Sequence, residues 1–224
     1  MKKHYNLFKS FIAFTVFFAI SFSNNAQMSG TYTVGSVTAD FLTLRQACDS
    51  LTILGVNGAV VLDIENGTYT DTLRLDSVNG VSATNTITFQ SLSANSTNVT
   101  VQGGDTVFAI GINYVTFKNL TINATGNNEA IYFLGSEGLT IEGCDISSVN
   151  DYVVHGLNYS NSPFSEIKNV SITNSTFLGF RGVYFDADNV SDITINNVDV
   201  MVTSNAIYLY GDYKTSDITI SNSD

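Results

Sequence analysis

The sequence predicts an all-β fold, a right-handed single-stranded parallel β-helix (a solenoid) with a short N-terminal capping helix, and three observations lead to it. A phrase of the form apolar–Thr/Ser–apolar–x–Asn recurs with spacings of 24, 31, 23 and 25 residues. One amphipathic segment precedes the repeats, and proline, which central strands exclude, occurs once in 224 residues. A strand-built repeat of this length indicates a solenoid, because each unit can bury its apolar face only against its neighbours.

Residues 1–26 are predicted to be a signal peptide that is not part of the fold. Three lysines form a positive n-region, residues 11–22 are apolar, and Ala26 suits the cleavage position. The apolar run is short for a membrane span and no second run follows it. We therefore expect an exported chain that has no membrane span after the signal is removed.

The rest of the chain is strongly acidic. Residues 27–224 contain 6 basic and 20 acidic side chains, a net charge of −14. Such a surface disfavours nucleic acid and anionic membranes as partners and can attract Ca²⁺. Cys48 and Cys144 both lie among apolar residues, which predicts two buried free thiols rather than a disulfide.

Residues 27–84 are predicted to form an N-terminal cap and the first strands. A helix is expected over about 40–54, with Asp40 as its N-cap and Gly55 as its C-terminal stop. Such a helix would cover the first open edge of the sheet. Its predicted apolar face consists of Phe41, Leu44, Ala47, Cys48, Leu51 and Leu54.

Residues 85–224 are predicted to form the stacked coils, a coil being one full turn of the solenoid. In each phrase the two apolar residues point inward and the Thr or Ser points outward, because side chains alternate along a strand. The Asn falls in a turn, where Asn and Gly accept left-handed backbone angles at low cost. This turn ladder is Asn119, Gly143, Asn174, Asn197 and Asn222.

The sequence stops inside a predicted strand, because the inward residue that would follow Asp224 has no counterpart. We expect the chain to be the N-terminal piece of a longer solenoid, truncated at its C-terminus. An uncapped final coil would present unpaired backbone groups, so self-association through that coil is expected.

An aromatic column accompanies the repeats. One aliphatic residue per coil aligns eight residues before the phrase, with small shifts in loop length in the last three coils, and the residue after it is predicted to point outward. Rings spaced one coil apart can stack against sugar rings, or can instead stabilise the solenoid by contacting one another. The column, our candidate ligand-binding site, is Phe108, Tyr132, His155, Tyr184 and Tyr208.

Over residues 38–224 the chain resembles the right-handed parallel β-helix proteins of the pectin-lyase-like superfamily. The resemblance rests on the coil length, the Asn ladder, the helical cap and the segment 61–71, Val-Leu-Asp-Ile-Glu-Asn-Gly-Thr-Tyr-Thr-Asp. The opening, residues 27–44, is similar to the N-terminal part of large surface proteins exported by type IX secretion. This resemblance implies a secreted or cell-surface location on the extracellular side of a Gram-negative bacterium.

Two sets of charged residues are candidate sites. The pairs Asp192 with Asp217 and Asp199 with Asp224 fall on adjacent coils and are candidate Ca²⁺ ligands; the alternative is solvated charge on a sheet face. Arg181, Asp186 and Asp188 are candidate catalytic residues. The resemblance implies this role, since uronate lyases of the fold often combine Ca²⁺ carboxylates with a basic proton acceptor.

A comparison with pectin methylesterases gives a mixed result. Residues 115–122 resemble a strand segment of that family, and Glu129 stands where those enzymes carry Gln. Their Asp-Phe-Ile-Phe-Gly segment has no counterpart.

Two functions follow. The first is an exported, non-catalytic β-helix module of a surface or adhesion-type protein that binds carbohydrate without a cofactor. The alternative is a polysaccharide-active enzyme, a Ca²⁺-dependent lyase or a hydrolase of acidic glycans. The scarcity of basic residues favours the first, because an acidic polymer needs positive charge to bind.

Overall fold

A computed structural model describes residues 26–157 and 166–224. The predicted signal peptide, apart from Ala26, and the segment around Pro163 lie outside the described residues. Within those two ranges, no helix is both long enough and apolar enough to cross a membrane.

The described chain forms a parallel β-solenoid, which confirms the predicted fold class. Every strand pairs in parallel with the equivalent strand of the next coil, and the pairs join into one 14-stranded sheet. The strands are β1 (Met28–Val34), β2 (Val56–Ile64), β3 (Gly67–Thr70), β4 (Leu73–Leu75), β5 (Ile87–Ser91), β6 (Val99–Gly103), β7 (Phe108–Ile110), β8 (Val115–Lys118), β9 (Thr121–Ala124), β10 (Ile131–Leu134), β11 (Thr140–Glu142), β12 (Asp145–Leu157), β13 (Glu166–Val202) and β14 (Ile207–Ser221).

The strands stack into three faces. One face runs through β1, β2, β5, β8 and β11, a second through β4, β7 and β10, and a third through β3, β6 and β9. The long strand β13 pairs with β11, with both ends of β12 and with β14, so it passes through all three faces. It bends at residues with positive φ: Asn169, Asn174, Gly179, Asp192 and Asn197.

The capping helix is shorter than predicted. Helix α1 spans Leu44–Leu54, and its N-cap is Thr43, whose side chain accepts a hydrogen bond from the backbone N–H of Gln46. Asp40 is not the N-cap, because its carboxylate accepts hydrogen bonds from the backbone N–H and hydroxyl of Thr33. Helix α1 contacts both β1 and β4, the first strands of two faces, so it covers the end of the stack as predicted.

The repeated phrase has the predicted phase. Its apolar residues from Val115 to Ile195 are buried, and the Asn ladder residues have left-handed φ angles between 50° and 55°, with Gly143 at 63°. The Asn197 amide donates to the Asn174 side-chain oxygen at 2.9 Å, so the ladder also bonds from coil to coil. The last coil is more open: Ile218 is partly buried and Ile220 is 49% exposed. Self-association through this coil stays a prediction.

A second left-handed ladder, which the sequence reasoning missed, precedes the first. The residue immediately before each phrase has φ between 54° and 78°. The chain thus enters the face through one left-handed residue and leaves it through another, an arrangement that allows the sharp corners of the solenoid. This ladder consists of Tyr114, Gly138, Asn169, Asp192 and Asp217.

The predicted alignment is wrong by one residue in the coil that contains β7. Phe108, not Val107, pairs with Ile131, so Phe108 points inward and is 0% exposed. Its ring packs between those of Phe89 and Phe117, at centroid distances of 5.4 and 4.6 Å. The inward residue Phe108 lies seven positions before Val115, whereas Ile131 lies eight before Leu139. The predicted register is therefore shifted by one residue, and such a shift exchanges the two faces of a strand. The outward residue here is Ala109.

The two cysteines are buried free thiols, as predicted. Burial raises the pKa of each thiol to about 12. Both thiols are therefore protonated and unreactive in the folded chain.

Candidate functional site

One register row crosses the face that runs through β4, β7 and β10 and continues over β12, β13 and β14. Parallel strands lie about 4.8 Å apart, so six aligned residues extend about 24 Å. All six point outward, because their neighbours on each strand are buried or, for Tyr208, partly buried. The row, which we call the cleft row, is Arg74, Ala109, Tyr132, His155, Tyr184 and Tyr208.

A cleft interrupts this face at the β7 coil. Ala109 and Gly111 present almost no side chain between the larger residues of the coils on either side. The gap is a cleft of about 500 Å³. The slip at Phe108 therefore changes the shape of this face, because it puts Ala109 where a ring was predicted. The cleft is lined by Thr72, Arg74, Asp76, Asp105, Thr106, Ala109, Ile110, Gly111, Asn128, Glu129, Tyr132 and Leu134.

Neighbouring side chains hold the polar groups of the cleft in place. Arg74 donates from Nε and Nη2 to the two carboxylate oxygens of Asp76, at 3.2 and 3.1 Å. Asn128 donates to Asp105 at 3.1 Å. Both contacts lie on exposed side chains, so they set the polar character of the rim and contribute little to stability.

A histidine–carboxylate pair lies at the end of the cleft next to Tyr132. The ring Nδ1 of His155 lies 2.7 Å from Oε1 of Glu129, and the hydroxyl of Thr106 donates to the other carboxylate oxygen at 3.1 Å. Burial raises the pKa of Glu129, but the hydrogen bond and electrostatic interaction with His155, a hydrogen bond from its own backbone N–H and the one from Thr106 together outweigh it, so the net pKa is lowered. Glu129 is therefore an anion at neutral pH.

The rings beyond the cleft pack mainly on one another. Tyr152, which the sequence reasoning did not single out, lies 4.3 Å from the His155 ring and 4.7 Å from Tyr184. Tyr184 and Tyr208 are stacked at 4.6 Å with an interplanar angle of 6°. His155 is covered, with 11% of its side chain exposed, and the facing surfaces of Tyr184 and Tyr208 are occupied. A ligand on this part of the row would meet ring edges and hydroxyls rather than a free series of ring faces.

The predicted catalytic residues do not converge on one point. Within the described part of the chain, the carboxylate at ion-pair distance from Arg181 is that of Asp151, at 3.5 Å, and the guanidinium lies over the Tyr152 ring. Asp186 accepts a hydrogen bond from the hydroxyl of Tyr184 at 3.2 Å. Burial and the charge of Asp186 raise the pKa of Tyr184 to about 12. Asp188 shares the outward side of β13 with Asp186 but lies where the register with β14 shifts.

The candidate metal ligands lie in pairs on adjacent coils, as predicted. Asp192 and Asp217 are members of the second left-handed ladder, and each carboxylate accepts a hydrogen bond from the preceding serine. Asp224 bonds through its backbone to Val198 and Val200, which places it beside Asp199. Among residues 26–157 and 166–224, no cluster of three or more His, Cys, Asp or Glu side chains is arranged to hold a metal ion. A role for Ca²⁺ stays a prediction.

Comparisons with known proteins support the fold. No protein-family model matches the sequence, and no curated protein matches it either. The chain is similar to the crystal structure of the pectin methylesterase from Aspergillus niger in a penultimately deglycosylated form, with a TM-score of 0.53 and 15% identity. The deglycosylated form of that enzyme gives 0.52 and 14%. Each match covers 88% of this chain and 77% of the other. The fold is therefore a pectin methylesterase-like parallel β-helix.

Proposed function

We propose that this chain is an exported, non-catalytic β-helix module of a surface or adhesion-type protein, and that it binds carbohydrate in the cleft above Ala109 and Gly111. The proposal includes a secreted or cell-surface location on the extracellular side of a Gram-negative bacterium. It also includes a relation to the large surface proteins exported by type IX secretion, which residues 27–44 resemble.

The observation that carries the proposal is the composition of the cleft. An aromatic ring, Tyr132, forms one wall, and the polar groups on the rim are fixed by hydrogen bonds to one another. Small-molecule sites typically combine an apolar surface with a few well-placed polar groups in a concavity of this size. Sugars present both apolar C–H faces and hydroxyls, so they match such a surface.

The outer tyrosines extend this surface along the face. Tyr208 and Tyr210 are 38% and 46% exposed and lie 6.3 Å apart. Tyrosine contributes a rigid apolar body and a hydroxyl at low entropic cost, and it is enriched in binding sites for that reason. An oligosaccharide that starts in the cleft would therefore continue over Tyr184, Tyr208 and Tyr210.

The experiment is a glycan array on residues 27–224, followed by calorimetric titration of the hits. Ala109→Tyr fills the cleft with a ring that the row already accommodates at Tyr132, so it should fold normally and weaken binding about tenfold or more. Thr116→Tyr, the same kind of change on another face, is the matched control and should bind as the parent does. Full binding by a folded Ala109→Tyr variant would remove the cleft from consideration.

A second variant tests the tyrosines. Replacing Tyr132, Tyr184 and Tyr208 together with Ala should abolish carbohydrate binding while the β-rich circular dichroism spectrum is largely retained. Undiminished binding by this folded triple variant would show that the ligand lies elsewhere.

One observation favours the alternative, a polysaccharide-active enzyme. His155 with its carboxylate partner Glu129 is a combination that serves as a general base in many enzymes, and it lies beside the cleft. Assays for lyase, hydrolase and esterase activity on acidic and neutral polysaccharides, with and without added Ca²⁺, separate the two functions. If the parent chain turns over a polysaccharide and Ala109→Tyr abolishes that activity, the chain is an enzyme and the non-catalytic proposal is wrong.

A further inference from the structure

We infer that the cleft accepts uncharged glycans and rejects uronate polymers. The inference rests on the proposed function and specifies the class of its ligand. It is argued from the charges that line the cleft, from their ion-pair partners and from the distribution of the remaining basic residues.

The lining of the cleft has an excess of negative charge. It contains one cation, Arg74, and three carboxylates, Asp76, Asp105 and Glu129. Both nitrogens of Arg74 that make hydrogen bonds point to Asp76, so this guanidinium is already neutralised. A sugar carboxylate placed here would meet two further carboxylates without a second Lys or Arg in the lining to offset them.

The wider surface does not supply the missing positive charge. Residues 26–157 and 166–224 contain six Lys and Arg side chains, and five of them lie within ion-pair distance of a carboxylate. Arg181, the other cation on this face, is one of the five and pairs with Asp151. The sixth, Lys214, lies in β14 beyond a register shift, opposite Asn189.

The same carboxylates suit a neutral sugar. An ionised carboxylate has acceptor oxygens and no donor, whereas every hydroxyl of a neutral glycan can donate. Hydrogen bonds from hydroxyls to ionised acceptors are stronger than those between neutral groups. Asp105, on the exposed rim, offers such acceptors toward the cleft, whereas Glu129, on the wall, adds negative charge while its two oxygens are held by His155 and Thr106.

The test compares neutral hexasaccharides in the gluco, manno, xylo and galacto series with hexagalacturonate, by calorimetry at low and high salt. We expect the parent chain to bind at least one neutral probe about tenfold or more tightly than hexagalacturonate, since one like-charge contact near a protein surface costs at least that factor. Added salt should strengthen binding of the uronate, because it screens repulsion, and should leave binding of the neutral probe unchanged.

A charge variant locates the selectivity. In the double variant Asp76→Asn with Asp105→Asn, both changes are isosteric, lie on exposed residues and release Arg74 from its ion pair. The preference for neutral over acidic probe should fall about tenfold. The matched control, Asp192→Asn with Asp217→Asn, removes the same charge from the second left-handed ladder, where Asn is well tolerated, and should keep the preference.

Two results would overturn the inference while leaving carbohydrate binding in place. One is equal or tighter binding of hexagalacturonate by the parent chain at low salt. The other is an equal loss of preference in the control, which would assign the effect to net charge rather than to the cleft. Failure of every probe and every array glycan to bind would overturn the proposed function, and this inference with it.

Discussion

Two faces of the same solenoid are built by opposite rules. On the face that contains β5, β8 and β11, the outward column has Val61 in β2 and from β5 onward carries hydroxyls of similar size: Thr88, Thr116, Thr140 and Ser171. Beside it, Lys118 and Glu142 form an ion pair between coils at 2.8 Å. On the cleft face, the row changes from Arg74 to Ala109 to Tyr132, and the rung at Ala109 is almost empty.

The difference shows where a repeat protein places a site. Outward side chains of similar size contact their equivalents on the next coil, so they contribute to stability and leave no concavity. A small outward residue between larger ones makes fewer side-chain contacts, but it leaves a walled space that a ligand can fill. Three predictions test this contrast.

The first prediction concerns the inward and outward sides of the regular face. Ile195→Asp places a charge in the buried stack and should lower the free energy of unfolding by about 4 kcal/mol or more. Thr116→Val, in the outward column, should change it by less than about 0.5 kcal/mol. Urea denaturation followed by circular dichroism measures both. Similar losses from the two variants would contradict the assigned phase of the strands.

The second prediction concerns the corner that bounds the regular face. Gly143→Ala puts a side chain on a residue with φ of 63° and brings its Cβ into a clash with the side-chain oxygen of Asn119. We expect a loss of about 1–2 kcal/mol in the free energy of unfolding, since left-handed angles are unfavourable for residues other than Gly and Asn. Gly104→Ala, where nothing lies within 4 Å, is the control and should be nearly neutral. A harmless Gly143→Ala change would mean that the ladder is not sterically tight.

The third prediction concerns the irregular face. Because the pKa of Glu129 is lowered in the folded chain, its ionisation stabilises the fold above the ordinary pKa of Glu, about 4.3, and that contribution disappears as pH falls through the lower folded value. Glu129→Gln should therefore be less stable than the parent at neutral pH and approach it below about pH 4.

Thermal unfolding across this pH range makes the measurement. Glu142→Gln, in a half-exposed ion pair on the regular face, is the control. It should lower the free energy of unfolding by less than about 1 kcal/mol. If the stability lost in Glu129→Gln were the same at every pH, ionisation of the Glu129 carboxylate would not be what stabilises the fold.

Several features of the site follow from local sequence, and others do not. Alternation along each strand is enough to place Tyr132, Tyr184 and Tyr208 on one outward row, and the structure confirms that row. Alternation alone could not have found Tyr152, because it lies two residues before the inward Val154 and the register with β13 shifts between Ser148 and Tyr152. The contact between His155 and Glu129 joins residues 26 positions apart, so it depends on how the coils stack and not on any local pattern.

The parallel solenoid, the capping helix and the phase of the repeated phrase can be predicted from the residues alone, because a strand that buries one side needs strict alternation and left-handed corners need Asn or Gly. The register of the β7 coil cannot, because it depends on packing between coils. The loop between β7 and β8 is one residue shorter than the equivalent loop of the next coil. Packing of Phe108 between Phe89 and Phe117 selects which side of the strand faces the core. That choice puts Ala109 in the cleft row, and the cleft follows from it, because a one-residue slip exchanges every inward and outward side chain of a strand.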